Sequence, residues 1–524
     1  MRQPPRPHGA DSLSNYHLLE NETEDLEKEE DEESAILSLD PFSSTNENTH
    51  RKRISILRWL RLFKMLIPSF LCPLSTQVES EKQRPTAWLD GLRGFAALFV
   101  VLHHMSLIWF PWDIHNGWTD WNDHLIQLPI IRLVISGKAN VMLFFVISGY
   151  ALSWKPLNLI QNNEHSKMYQ TLASSTFRRH PRLFIPAVII CAPAPVITYL
   201  GGFGGAGMPG AAIRPMNPPR FETIWAQFEN YAASLMPLSD FYGPGPIAWI
   251  YSDSLWTLPV EFKSSLVVFS LLLALSRCTT RSRIVITLCV ALYSFWYLHW
   301  GEFLFVGGML AVESNLASQR YAHARELGLD EGEDSFDLNP DKKKRLRCTM
   351  DIVQVLCRLL SITSFLTCLF LLSMPQHNRH ASDSYGFREF AQLIPAHFHE
   401  AGAADYFWQP IGAVLLVRKL DDSRFLQGIF TTRLAQYLGR ISFVLYLVHM
   451  LILHSLGVWL GRYFLLLTGS DSFWKYGSGI SLAAITVGFV MMWAAHLGTR
   501  FVDANVVRFT VWAYGKVCKT EANR

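Results

Sequence analysis

The chain has 524 residues, half of them apolar, and only 17% are Asp, Glu, Lys or Arg, against about 25% in an average soluble domain. With 17 Trp and 34 Phe it carries more apolar surface than aqueous cores of this size need, which argues against soluble, nucleic-acid-binding and disordered classes. A net charge of +3 is too small to imply an anionic partner, and the eight Cys contain no CxxC pair, so neither a zinc site nor a disulfide framework is expected.

Residues 1–50 hold a run of acids from Glu20 to Glu33 among Asn, Ser, Thr and Pro, too polar to offset the entropy of folding. They read as a disordered acidic tail and, lacking an apolar core behind a basic start, not as a secretory signal. In residues 51–73, Arg58, Arg61 and Lys64 recur on one helical face, with Ile56, Trp59, Leu60, Phe63 and Ile67 largely opposite. This pattern predicts an amphipathic helix lying on a membrane, its basic stripe toward anionic lipid.

From Gly91 onward, apolar stretches long enough to cross about 30 Å of hydrocarbon alternate with polar connections. They fall at roughly 91–110, 139–155, 183–200, 254–276, 284–299, 302–317, 351–373, 401–417, 441–460 and 479–500. The eighth is the least apolar, and the amphipathic segments 124–136 and 221–238 belong to the interface. With the N-terminus in the cytosol, the inner loops carry 5, 3, 7 and 5 Lys or Arg and the outer loops only 8 in all. That asymmetry follows the positive-inside rule. The expected fold is therefore all-α: a polytopic helix bundle of about ten transmembrane helices over 86–517, both termini cytosolic, in the plasma membrane or an endomembrane. Residues 201–219 form a Gly- and Pro-rich outer loop, and the charged residues 318–350 a cytosolic one.

An ionisable side chain inside hydrocarbon is expensive and marks function by default. In the first span, LDGLRGFAALFVVLHH, Arg93 and His104 are eleven residues apart, which puts them on one face about 16 Å apart along the axis. His103 points about 80° away. His104 serves either as a catalytic base or as a histidine bonded to a neighbouring helix. At the cytosolic mouth of the third span, FRRHPRLFIP presents Arg178, Arg179 and Arg182, a set able to bind phosphate or simply to satisfy topology. Glu261 and Lys263 enter the fourth span two residues apart, so they do not face each other, and Glu261 needs a His or Arg from elsewhere. In LGRISFVLYLVHMLILH, Ser442, Tyr446 and His449 lie along one face, as a polar seam or as site residues, while His454 turns away from His449 by about 140°.

Five blocks, LDGLRGFAALFVVLHH (89–104), FFVISGYALS (144–153), FRRHPRLFIP (177–186), LWTLPVEF (255–262) and LGRISFVLYLVH (438–449), together resemble the integral-membrane acyltransferases of the acyltransferase-3 type. The resemblance places that family's essential Arg and His on Arg93 and His104, its Arg-x-x-Arg element on Arg179 and Arg182, and its acid on Glu261. It departs at Pro181 and His180, where a bend would displace Arg182.

The implied activity is transfer of an acyl group, acetyl above all, from cytosolic acyl-CoA to a hydroxyl of a carbohydrate or lipid-linked acceptor. His104 and Glu261 would be catalytic, Arg93, Arg179 and Arg182 would hold acyl-CoA, and His103, Tyr446 and His449 would support them. The expected partners are acyl-CoA, the acceptor and membrane lipid, with no permanently bound cofactor, metal or nucleic acid. A proton-coupled secondary transporter and a non-catalytic scaffold are the alternatives; the absence of a clear internal repeat speaks against the first.

Overall fold

The computed structural model describes residues 85–518 apart from 204–206, 243–248, 331–355, 357 and 377–379. The acidic tail, the basic amphipathic helix at 51–73 and most of the loop at 318–350 lie outside the described residues. Among those described there is no strand, only two isolated bridges. The long helices are α1 (Ala87–Trp109), α2 (Gly137–Gln161), α3 (His165–Cys191), α4 (Ile224–Ser239), α5 (Thr257–Ala274), α6 (Thr280–Trp296) and α7 (Trp300–Asp330). They continue as α8 (Arg358–Leu372), α9 (Asp405–Asp422), α10 (Arg433–Ile452), α11 (Val458–Thr468), α12 (Phe473–Gly498) and α13 (Ala504–Val517).

Six helical stretches are long and apolar enough to cross a membrane: α1, α2, α3 with its continuation to Tyr199, α5 with its preceding turn, α10 joined to α11, and α12 joined to α13. The other expected spans fall on α6, α7, α8 and α9, which are shorter or more polar; residues 351–355 of the seventh lie outside the described residues.

The structure refines three readings. The amphipathic segment 124–136 forms two short 3-10 turns, Leu125–Gln127 and Ile131–Ile135, with Pro129, which lacks an N–H donor, between them. Residues 318–330 are helical, since α7 runs on to Asp330. The helix α3 continues through Pro181 and Pro186, and the His180 ring stacks on Phe184 at 4.4 Å and meets Phe262 edge-on at 5.1 Å. The segment expected at the interface around 221–238 is α4, capped by Thr223 Oγ1 accepting from the Ala226 N–H at 3.1 Å, with Trp225 and Met236 exposed on its flank.

Close backbone approach sets the bundle. A Cβ on Gly94 would sit 2.4 Å from the Gly439 nitrogen, and one on Gly439 2.3 Å from the Asp90 carbonyl oxygen, so α1 and α10 touch main chain to main chain. Gly149 and Gly308 do the same for α2 and α7, at 2.1 Å from the Phe305 oxygen and 2.3 Å from the Val146 oxygen. Small residues at such crossings gain dispersion contact where lipid offers no hydrophobic drive. Around these seams, Val101, Met105 and Ile108 of α1 pack on Ile441, Val444 and Leu445 of α10 and on Val487 and Met491 of α12. Leu183 and Phe184 of α3 pack with Leu258 and Phe262 of α5 and Leu447 of α10.

Candidate active site

The glycine seam lays the polar stripe of α1 against that of α10. At one end, Arg93 donates from Nε to Ser442 Oγ (3.0 Å) and from Nη2 to the Gly439 carbonyl (3.2 Å). It also pairs with Asp90 at 3.1 Å while remaining 40% exposed. Further along the same face, the His104 and His449 rings lie 5.1 Å apart, and the Tyr446 and His449 rings 5.5 Å apart. Ser442, Tyr446 and His449 do share a face, and it meets Arg93 and His104.

The His449 ring is fully buried. Its Nδ1 lies 2.7 Å from the Tyr446 carbonyl oxygen. A carbonyl only accepts, so Nδ1 carries the proton and Nε2 the lone pair. That Nε2, and Nδ1 of His104, are buried without a hydrogen-bond partner among the described residues. His103 packs edge-on to His104 at 5.2 Å and to His115 at 5.3 Å, and its Nδ1 contacts the Ile135 carbonyl at 2.6 Å. Although about 80° from the Arg93 stripe by helix geometry, His103 therefore belongs to the same imidazole cluster. Among the described residues, no three His, Cys, Asp or Glu side chains are grouped to hold a metal ion.

Glu261 has the partner it needed, and it is an Arg. Arg179 Nη2 donates to Glu261 Oε1 at 2.7 Å and Arg179 Nε to Ser265 Oγ at 2.9 Å, while Ser148 Oγ donates to the same Glu261 oxygen at 3.3 Å. The pair is 14% and 22% exposed and ties α3, α5 and α2 together. Arg182, half-buried one turn on, is within electrostatic reach of Arg179. Tyr446 of the imidazole cluster reaches the start of α5, its hydroxyl donating to the Ser254 carbonyl at 2.6 Å and lying 2.9 Å from Thr257 Oγ1. Lys263 pairs separately with Glu302 at 3.3 Å.

Two histidines of the cluster escape a reading of helical spacing. His115 sits in the 3-10 turn Trp112–His115 after α1, its Nε2 3.3 Å from Ser106 Oγ. His454 lies in a π turn, Leu453–Gly457, that joins α10 to α11, and is within electrostatic reach of both His104 and His449. Its Nδ1 accepts the Met216 N–H at 2.8 Å. The Gly- and Pro-rich segment is therefore docked: the Ala212 and Ile213 N–H groups donate to the Phe110 and Leu107 carbonyls at 2.8 and 3.1 Å, and Met208 and Met216 are buried. This loop closes one side of the cluster.

Residues 86–495 match the family model described as an acyltransferase domain, of the acyltransferase-3 type. Over 456 residues the chain is 38% identical to O-acetyltransferase PaAT-1 of Phomopsis amygdali, covering 84% of this chain and 87% of that protein. It is 22% identical over 471 residues to acyltransferase clz18 of Cochliobolus lunatus (80% and 94% covered). It is likewise 22% identical over 476 residues to acyltransferase R4 of a Phoma species (80% and 93%). No solved structure matches the chain.

Proposed function

Because the chain belongs to the acyltransferase-3 family and is a multi-pass membrane acyltransferase, we propose that it transfers an acyl group, preferentially acetyl, from cytosolic acyl-CoA to a hydroxyl of a carbohydrate or lipid-linked acceptor. The observation that carries this reading is the contact between His104 and His449, two rings each presenting an unpartnered, buried nitrogen beside the other. One imidazole nitrogen with a free lone pair takes the acceptor proton as the hydroxyl oxygen attacks the thioester carbonyl. The C–O bond forms, the C–S bond breaks, and the thiolate recovers the proton to leave as CoA. His104 is the base in this scheme and His449 sets its surroundings, with the Nδ1–H of His449 anchored on Tyr446.

Arg93, exposed at the opposite end of α1, and Arg179 with Arg182 supply the guanidinium groups for the CoA phosphates. Glu261 holds Arg179 in place. In this reading the chain crosses the membrane ten times with both termini cytosolic, which the Lys and Arg asymmetry of the loops supports. A proton-coupled transporter built on the same charges is not favoured by the family or by the relatives. Isotope-labelled acyl transfer by membranes containing wild-type or His104→Ala protein at matched abundance tests the scheme. A loss of roughly 100-fold or more is expected, and undiminished transfer would overturn the assignment of His104.

A further inference from the structure

A cavity lies where α1 ends, at the His103 and His115 edge of the histidine cluster. It is small and partly open, and is lined by His103, His115, Arg132, Lys138 and Gln409 together with the first turn of α2. Its chemistry is unbalanced. Arg132 is 5% exposed, and its Nη1 and Nη2 donate to the carbonyls of Ser373 (2.7 Å) and His115 (2.9 Å), while Nε has no partner among the described residues. Two neutral carbonyls do not compensate a buried guanidinium, and burying a charge without a counter-ion is costly. Desolvation lowers its pKa to about 10, so it stays protonated at neutral pH.

Lys138, by contrast, is already neutralised by Asp405 at 2.8 Å. Gln409, 3% exposed, donates to the Met374 carbonyl at 2.7 Å but leaves Oε1 unpartnered. The positive end of α2 adds to the same field. His103 spends its Nδ1–H on Ile135, so its Nε2 keeps a lone pair. Gly137 leaves that edge of the ring clear, since a Cβ there would come within 2.3 Å of the imidazole and 2.9 Å of Nε2.

We propose that this cavity is the acceptor-side subsite and takes a compact anionic group of the acceptor, a carboxylate, sulfate or phosphate ester, on Arg132, with a neighbouring hydroxyl donating to His103 Nε2. That the occupant is an acceptor rests on the acyl-transfer reading; that it is an anion rests on Arg132 alone.

The two are tested separately on the full chain in nanodiscs. Thermal midpoints are measured in acetate, sulfate or phosphate against chloride at constant ionic strength. The wild type is stabilised by roughly 2 °C or more at saturating anion. Arg132→Gln abolishes the response, and Gln409→Glu, which places a carboxylate in the same cavity, reduces it at least fivefold even if the first variant fails to fold. Equal midpoints in all anions, or an unchanged response in Gln409→Glu with Arg132 intact, would overturn the anion site. The second arm measures labelled acyl transfer with and without the stabilising anion. Inhibition that is competitive with acceptor and leaves the KM for acyl-CoA unchanged supports the acceptor assignment. Anion binding without inhibition of a measurable transfer refutes it. Anion binding in a protein with no transfer at all sinks the acyl-transfer reading instead and leaves the anion site standing.

Discussion

The Arg179–Glu261 pair permits a quantitative test of whether these charges hold the site together or wait for a ligand. At 2.7 Å and an effective dielectric near 20, their attraction is about 6 kcal/mol, and desolvation of the two ions offsets most of it. The net value of the pair is therefore small, whereas removing one partner strands the other: Arg179→Ala leaves Glu261 with only Ser148, and Glu261→Ala leaves Arg179 with only Ser265. Each single variant should lose about 2–4 kcal/mol, toward the low end for a buried pair because both side chains retain some solvent contact. The double variant should lose no more than the worse single, a coupling of at least about 2 kcal/mol, the size of the smaller single loss. In detergent, the single variants should lower the thermal midpoint by roughly 3–6 °C, less per kcal/mol than a half-sized domain would show. Strictly additive losses would refute the pairing argument. Unchanged stability in Arg179→Ala with a raised KM for acyl-CoA would mean that Arg179 binds ligand and holds nothing.

Replacing His449 by Asn keeps an N–H near the Tyr446 carbonyl but removes Nε2; acyl transfer should fall at least 100-fold, and His104→Ala combined with it should cost little more, as for groups acting as a unit. Gly439→Ala should cost about 3 kcal/mol, because its Cβ meets the Asp90 carbonyl at 2.3 Å and neither backbone can yield. Gly488→Ala, with nothing within 4 Å, should be neutral or slightly stabilising, and the contrast is read from heat-induced loss of monodispersity. His454→Ala leaves the Met216 N–H without its acceptor, costing about 1–3 kcal/mol locally; cleavage within 207–219 by a limiting protease should accelerate several-fold, and an unchanged rate would show that the segment is held by its other contacts alone.

Helical spacing made part of the site legible. Arg93 and His104 on one face of α1, and Ser442, Tyr446 and His449 on one face of α10, follow from 100° per residue, and the structure brings those two faces together. What spacing could not show depends on packing between helices or on a departure from regular winding. The partner of Glu261 is 82 positions away, a contact that exists only once α3 and α5 are packed. His454 lies in a π turn, and its bond to the Met216 N–H depends on the docking of a segment 238 positions away, which helical spacing does not carry. His115 sits in a short 3-10 turn with no periodicity to read, and the continuation of α3 through Pro181 to Cys191 is set by packing that the sequence pattern does not show. Arg132 could be counted as an outer-loop charge, but burial without a counter-ion is a property of the folded chain.

The glycines explain why these positions move together. Arg93 on Ser442 and His104 on His449 are two contacts between the same two helices, about three turns apart. Sliding α1 by one residue along α10 shifts it 1.5 Å and 100°, so both contacts would be lost in a single step. Gly94 and Gly439 block that step, since each lies where any side chain would strike the opposing backbone and only this register places them opposite bare main chain. The LDGLRG motif thus does more than deliver an Arg: its Gly94, against Gly439, helps set the register that keeps the partly exposed guanidinium and the buried imidazoles at a constant separation. A long, phosphate-bearing acyl donor anchored at one end of α1 requires such a separation if its thioester is to meet His104.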